Sequence, residues 1–305
     1  MLEIFLKTLP FFALIGLGWF AGQIRFFTAE ATAWLTKFVF YFALSAMLFK
    51  FSANLDLGAL FDPQFILAYL TGSGAVWLVS FAVAKTRKLP TALAAMEAHT
   101  SMTGNTGFLG VPMLVVLLGP LAVGPVLMVL ACDLIVFSSI ITIFITASRH
   151  GKVSLAPIAL GLVKNPMIVS MLAGLAWAGL KLPMPGPLEE FMTLLGAAAT
   201  PGALFAIGAS LAGKSAEKPA PAIWLSFGKL FLHPAAIAIT ALLIFDVEPY
   251  AAGVMIAAAA LPVAGNVYIL AQHFGVAPQR VSAAILVSTA VSILTVPAVI
   301  HWVHG

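Results

Sequence analysis

The feature that most constrains this chain is a succession of apolar windows, each long enough to cross a membrane as a helix. Of the 305 residues, 62% are hydrophobic and 9% are charged, whereas soluble domains have about 45–50% and about 25%. A spanning helix needs about 20 largely apolar residues, and the windows do not alternate as barrel strands do. We therefore predict an all-α membrane protein with ten transmembrane helices. The windows are 4–22, 32–51, 64–84, 91–118, 122–147, 157–180, 188–212, 221–245, 250–274 and 279–303.

Lysine and arginine are distributed unequally between the two sets of loops. The loops after even-numbered windows and the start of the chain hold only Lys7, Lys50 and Lys181, whereas the loops after odd-numbered windows hold nine basic residues. Because cytoplasmic loops are enriched in these residues, we predict that both termini lie outside, on the periplasmic face of a bacterial-type inner membrane. The basic residues then serve topology, and we expect no nucleic-acid partner. The loops after odd-numbered windows hold Arg25, Lys85, Arg87, Lys88, Arg149, Lys152, Lys214, Lys218 and Arg280.

The two halves of the chain resemble each other. With an offset of 156, "LPFFALIGLGWFAG" (9–22) falls on "NPMIVSMLAGLAWA" (165–178), and "SAMLF" (45–49) falls on "PGALF" (201–205). With an offset of 161, Asn105 falls on Asn266. Five helices in each half make the second copy enter the membrane inverted. We predict two inverted five-helix repeats, 1–150 and 151–305, an arrangement typical of secondary transporters.

The fourth window of each predicted repeat is interrupted by residues that disfavour a helix. The first interruption is "GNTGFLGVP" (104–112), and the second is "LPVAGN" (261–266). Irregular backbone at membrane depth is tolerated only where it is buried or lines a cavity. Its freed N–H groups and helix N-termini favour anions. The residues predicted to break these helices are Gly107, Gly110, Pro112 and Pro262.

Asn105 and Asn266 lie about 20 Å along their windows, near the middle of the membrane, at 1.5 Å per residue. Their amides can donate to a carboxylate; alternatively, both satisfy backbone groups freed by the breaks. Glycines beside them allow close approach of the two windows. We predict a substrate site formed by Asn105, Thr106, Asn266, Thr103, Gly104, Gly265 and Tyr268.

"GNTGFLGVPML" and "LPVAGNVYILAQHFGV", together with "PGALFAIGASLAG" (201–213), resemble the auxin efflux carrier family, whose bacterial members include permeases for small dicarboxylates. The resemblance covers the whole chain. It implies that helices 4 and 9 cross at their breaks and that substrate binds there. It also implies a scaffold of helices 1, 2, 6 and 7, often dimeric, and a transport domain of helices 3–5 and 8–10 that moves as an elevator. The related sodium–bile-acid symporters carry a glutamate in the ninth helix, and "LPVAGN" has no carboxylate.

Several ionisable residues lie inside the windows, where they are costly and usually functional. We predict that Asp133, in the fifth window, couples transport to H⁺ or Na⁺; the alternative is a structural acceptor for backbone donors. Glu97 and His99 are further coupling candidates, or else pair near the interface. Lys164, Lys229 and His233 are interpreted as snorkelling or satisfied buried groups.

These patterns predict a secondary transporter for a small organic anion, with membrane lipid and a second copy of the chain as partners. A sodium-coupled symporter of a bulkier, bile-acid-type anion is the alternative. An intramembrane enzyme would need a nucleophile–base pair or a metal cluster. Neither H-E-x-x-H nor a Cys/His cluster occurs in the sequence, so we expect no enzyme, no metal site and no cofactor. A receptor gives no reason for two symmetric breaks.

Overall fold

A computed structural model of the protein describes residues 2–55, 62–150, 156–212 and 219–304. Within these ranges the chain is helical, and the extended pairing is limited to one isolated bridge between Gly104 and Val263. Lys152, Lys214 and Lys218, which we predict to be cytoplasmic, lie outside the described residues. The helices are α1 (Leu2–Gln23), α2 (Ala29–Ala53), α3 (Pro63–Thr86), α4 (Thr91–Thr100), α5 (Thr106–Leu118), α6 (Pro120–Arg149), α7 (Ala156–Lys164), α8 (Pro166–Gly179), α9 (Gly186–Leu211), α10 (Pro219–Ile244), α11 (Pro249–Ala259), α12 (Gly265–Phe274) and α13 (Pro278–His304).

Seven helices in the described ranges are long and apolar enough to cross a membrane, namely α1, α2, α3, α6, α9, α10 and α13. Their outward faces carry large apolar side chains such as Leu194 and Leu243, each 79% exposed. Apolar surface on this scale requires lipid rather than water around it. The chain is therefore a helical, multi-pass membrane protein, as its composition predicts.

The other three predicted windows are divided into shorter helices. Helices α4 and α5 occupy the fourth window, and α11 and α12 occupy the ninth. The sixth window, which we expected to be one helix, is bent by 69° between α7 and α8. Asn165 causes this third interruption, because its Oδ1 accepts a hydrogen bond from Met167 N (3.0 Å) and Pro166 begins the next helix. Proline at the first helical position favours a new start.

The helices pack as two groups. In the first, α1 packs along α9, and α2 packs along α8 and α9. In the second, α3 packs on α4 and α10, α6 packs on α4, and α13 packs on α10, α11 and α12. The first group comprises the windows that the family resemblance assigns to a scaffold, and the second comprises the windows that it assigns to a transport domain.

Two close contacts in the first group follow the sequence offset of 156. A Cβ added at Gly18 would lie 2.1 Å from the carbonyl oxygen of Phe205, and one at Gly174 would lie 2.5 Å from that of Phe49. Gly18 matches Gly174 in the repeat, and Phe49 matches Phe205. The contact of Gly18 with Phe205 therefore corresponds, by the offset, to the contact of Gly174 with Phe49. Both positions need glycine, because a side chain there would keep the helices apart.

Candidate functional site

The two predicted breaks lie against each other and are joined by backbone hydrogen bonds. Asn105 N donates to Pro262 O (2.8 Å), and Ala264 N donates to Thr103 O (3.1 Å). Ser288 of α13 supports the second break, since its hydroxyl accepts a bond from Val263 N (3.1 Å). Backbone groups freed by broken helices inside a membrane need such partners. The bridge thus fixes the starts of α5 and α12 beside each other.

The first break lies earlier in the chain than "GNTGFLGVP" predicts. Helix α4 ends at Thr100 and α5 begins at Thr106, so Gly107, Gly110 and Pro112 belong to α5. The first turn of α5 is a wide π-helical turn in which Gly110 N bonds to Asn105 O (2.9 Å). Because π turns widen the backbone, this turn accommodates Pro112, which has no N–H to donate. Pro262 lies in the second break itself.

The glycines of the two breaks have different surroundings. A Cβ at Gly104 would lie 3.1 Å from Lys229 Cε, and one at Gly110 would lie 2.6 Å from a methyl group of Leu261. One at Gly107 would lie 2.5 Å from the terminal methyl group of Met167. At Gly265 a Cβ would meet nothing within 4 Å. Close packing therefore explains the glycines of the first repeat, and the interpretation of Gly265 as a close-approach position is wrong.

A cavity of about 300 Å³ lies next to the breaks, between the two helix groups. Phe40 of α2 and residues of α7 and α8 form one wall, and α4, α6 and α12 form the other. Among the described residues, no lysine, arginine or carboxylate lines it. Its polar lining includes His99, Ser138, Thr142, Asn165, Asn266 and His273.

The predicted substrate contacts are placed at different depths relative to this cavity. Asn266 lines it directly. Asn105 and Thr106 are buried and do not line it. The Oδ1 atoms of both asparagines and the hydroxyl of Thr106 have no hydrogen-bond partner in the described part of the chain. The asparagine oxygens therefore do not cap the freed backbone groups, which was the alternative interpretation.

Thr103 and Tyr268 make local contacts. The Thr103 hydroxyl lies 3.3 Å from Nδ1 of His99, and the Tyr268 hydroxyl accepts a bond from Gln272 Nε2 (3.0 Å). His99 itself is buried and lines the cavity. The structure thus brings His99 and Asn266, which we predicted for different roles, into one cavity.

Asp133 lies in the interior of the second helix group. It occupies a π-helical turn, Cys132–Phe137, and is 3% exposed. The hydroxyl of Tyr69 on α3 donates to Asp133 Oδ1 (2.7 Å). The second carboxylate oxygen is buried and has no hydrogen-bond partner among the residues described. A buried carboxylate with one free oxygen is able to accept a proton or a cation.

Sequence reasoning missed a basic cluster beside Asp133. Lys229 and His233 on α10 are fully buried, so they are satisfied buried groups and not snorkelling ones. Lys229 Nζ lies 3.1 Å from His233 Nδ1, and His233 Nε2 lies 2.8 Å from Ser73 Oγ of α3. Lys229 and Asp133 interact electrostatically without forming a direct ion pair among the described residues. The spacing Lys-x₃-His on one helix face is the signal that the sequence offered.

Glu97 is held by two arginines. Its carboxylate forms an ion pair with Arg87 (3.0 Å) and another with Arg280 at the start of α13. Glu97 is 1% exposed, whereas the arginines reach the surface. Glu97 therefore pairs near the interface, which was the alternative to a coupling role, and its partners are arginines. Lys164, by contrast, is exposed at the end of α7.

The geometry suits binding of an uncharged or anionic polar solute and offers little for covalent chemistry. Helix starts present unpaired backbone N–H groups, and amide, imidazole and hydroxyl groups line the cavity beside them. Within the described ranges, no three His, Cys, Asp or Glu residues are grouped as a metal site would require.

Comparison with known proteins identifies the family. The model of a family described as "Membrane transport protein" matches residues 3–158 and 146–300. A protein of Rhizobium meliloti (strain 1021) named "Putative malonate transporter" is 31% identical over 311 residues, covering 100% of this chain and 97% of the relative. The chain is therefore a membrane transporter and not an enzyme, and it belongs to the membrane transport protein family, the auxin efflux carrier family that its break motifs resemble.

Proposed function

We propose that this protein is a permease that moves a small carboxylate across a bacterial inner membrane, and that the substrate binds beside the paired breaks. The observation that carries the proposal is the pairing of Gly104 with Val263, which sets the starts of α5 and α12 next to a polar cavity. Helix N-termini carry partial positive charge and unpaired N–H groups, both of which favour an anion.

The lining of the cavity favours a carboxylate over a cation. Asn266 and Asn165 offer amide donors, and His99 and His273 offer ring nitrogens. With no carboxylate in the described lining, an anion meets no like charge there. The named function of the relative, malonate transport, agrees with this chemistry. We therefore propose malonate and similar short carboxylates as the first substrates to test.

The size of the cavity bears on the alternative, a bulkier anion of the bile-acid type. Sites for drug-sized ligands span about 300–1,000 Å³. A cavity of about 300 Å³ is at the lower end of this range and suits a short carboxylate better than a steroid. The size thus supports the first proposal over the sodium-coupled symporter of a bulky anion.

For the mechanism, we propose an elevator in which α3–α6 and α10–α13 carry the substrate past a scaffold of α1, α2 and α7–α9. The cavity lies on the boundary between these groups, where sliding would expose it alternately to each side. We propose further that the chain has ten membrane helices in two inverted five-helix repeats, 1–150 and 151–305, whose broken helices cross. The reciprocal contacts of Gly18 and Gly174 support this symmetry. The loop charges support external termini.

We propose that Asp133 couples transport to a cation, either H⁺ or Na⁺. Asp133 is buried, and its Oδ2 has no hydrogen-bond partner among the described residues. It lies on α6, which packs on α4, the helix that leads into the first break. Asp133→Asn removes the charge but keeps the shape. In proteoliposomes, we expect this variant to lose the dependence of uptake on pH and on Na⁺. Uptake that retains the full dependence on both would remove the coupling role.

The proposed substrate is tested with purified protein. The melting temperature is measured against a panel of mono-, di- and tricarboxylates, and uptake of labelled malonate is measured in proteoliposomes. We expect short carboxylates to raise the melting temperature and to be taken up. A panel without any stabilising carboxylate, combined with uptake equal to that of protein-free liposomes, would contradict the proposal.

A further inference from the structure

The C-terminal end of α11 holds a buried lysine. Lys229 Nζ donates a hydrogen bond to the carbonyl oxygen of Ala259, the last residue of that helix. The side chain reaches this point from a π-helical turn of α10, Gly228–Leu232, and is 0% exposed. Fully buried lysines are rare unless they are paired, so the position calls for a specific role.

The end of a half-helix inside a membrane is a natural cation site. Its last carbonyl groups have no partner in the helix and carry partial negative charge. In transporters with broken helices, such ends and the unwound carbonyls beside them coordinate Na⁺ or H⁺. The Lys229 ammonium group lies at the end of α11 and has three N–H donors to give.

The ammonium group contacts both breaks. A Cβ added at Gly104, in the first break, would lie 3.2 Å from Lys229 Nζ and 3.2 Å from the carbonyl oxygen of Ala258. Glycine at 104 therefore leaves the space that the lysine fills. His233 Nδ1 also lies within hydrogen-bond distance of the ammonium group, at 3.1 Å.

The interior around Lys229 also holds an acidic group. Asp133 interacts electrostatically with Lys229, and Tyr69 donates to Asp133 from α3 (2.7 Å). The net charge of Lys229 and Asp133 together is zero, whichever of the two holds the proton. An additional sodium ion would leave a net positive charge at membrane depth, which is costly.

We propose that the Lys229 ammonium group is a tethered cation that takes the place of a free sodium ion at the end of α11. The transporter then needs no Na⁺ at this position. The inference rests on the proposed transport function for its meaning, but its test measures ion binding without any substrate. Failure to bind carboxylates would thus leave it standing, and Na⁺ binding would overturn it while leaving the permease proposal intact.

The first test uses the wild-type protein. Its melting temperature is measured in NaCl, KCl and choline chloride at equal ionic strength. We expect the three curves to coincide, which would also make H⁺ rather than Na⁺ the cation coupled at Asp133. A saturable rise that is specific to Na⁺ would overturn the proposal, and this measurement needs no variant that must fold.

The second test removes the tethered cation and returns it as a soluble one. Lys229→Ala deletes the atoms of propylammonium from the side chain. We expect the variant to melt at least roughly 6 °C lower, because Asp133 loses its partner. Propylammonium or Na⁺ should restore much of this loss, and 1-propanol, which has a similar shape and no charge, should not.

Lys37→Ala is the matched control. Lys37 is another lysine within a predicted span, but it is exposed and lies 4.3 Å over the ring of Trp34. We expect no response of this variant to propylammonium beyond that of the wild type. A Lys229→Ala protein that melts like the wild type, or that responds equally to propanol and propylammonium, would overturn the proposal.

Discussion

The two breaks occupy matching positions in the two halves, yet their first half-helices end in different ways. The end of α4 is satisfied locally, since Thr100 Oγ1 donates to Met96 O (2.7 Å) and Ser101 Oγ donates to Glu97 O (3.0 Å). The end of α11 is satisfied from another helix, by Lys229. With the offset of 161, the residues that match Glu97 and His99 are Ala258, in α11, and Ala260, directly after it.

This difference teaches that the two halves share an interrupted backbone at this position, whereas each half supplies its own charged residues. The first half provides Glu97, His99 and Asp133, and the second provides Lys229 and His233. The second break is also the more open one, because Asn266 lines the cavity and Gly265 faces free space. We therefore expect the substrate to contact the second break rather than the first.

The largest effect is expected when the charge balance is broken. Asp133→Asn removes the acidic group that interacts with Lys229 and should cost about 3 kcal/mol of stability, because it leaves a buried charge uncompensated. The double variant Asp133→Asn with Lys229→Met removes both charges and should recover part of the loss. Melting temperatures of the purified single and double variants provide the test. A double variant whose loss of stability equals or exceeds the sum of the two single losses would contradict the pairing.

A smaller effect is expected from the glycines of the two breaks. At Gly104, alanine would press on Lys229 and on Ala258 O, which should cost about 1–3 kcal/mol as overpacking does. At Gly265, the same substitution meets nothing and should change stability by less than about 0.5 kcal/mol. Equal losses at both positions, measured by thermal unfolding, would remove the difference between the breaks.

The ion pairs that link Glu97 of α4 to Arg87 and Arg280 are expected to contribute less to stability than the features above. Glu97→Gln breaks two ion pairs but keeps a polar group beside Arg87 and Arg280, and should cost roughly 1–2 kcal/mol. The control is Glu3→Gln, which breaks the exposed pair with Lys7 (2.7 Å) and should have no measurable effect. The comparison fails if Glu97→Gln melts like the control.

Sequence periodicity was sufficient to predict the membrane class and both breaks, because long apolar runs and paired Gly, Pro and Asn residues are local signals. The bend at Asn165 was missed, although Asn-Pro is a helix start signal, since the apolar run continues through it. Lys229 and His233 were recognised as buried-group candidates without a role. Their partners, Ser73, Ala259 and Asp133, come from three other helices, and such contacts depend on packing that no single window encodes.

The central claim is that a small carboxylate binds in the cavity beside the second break, and Asn266 tests it most directly. The dissociation constant for malonate is measured for the wild type, Asn266→Ala and Asn105→Ala, each with its melting temperature as a check of folding. Loss of a hydrogen bond to a charged ligand costs about 1.5–3 kcal/mol, so Asn266→Ala should weaken binding by at least about tenfold. Asn105→Ala should weaken binding less, because Asn105 is buried and does not line the cavity. Unchanged affinity in both folded variants would contradict the claim.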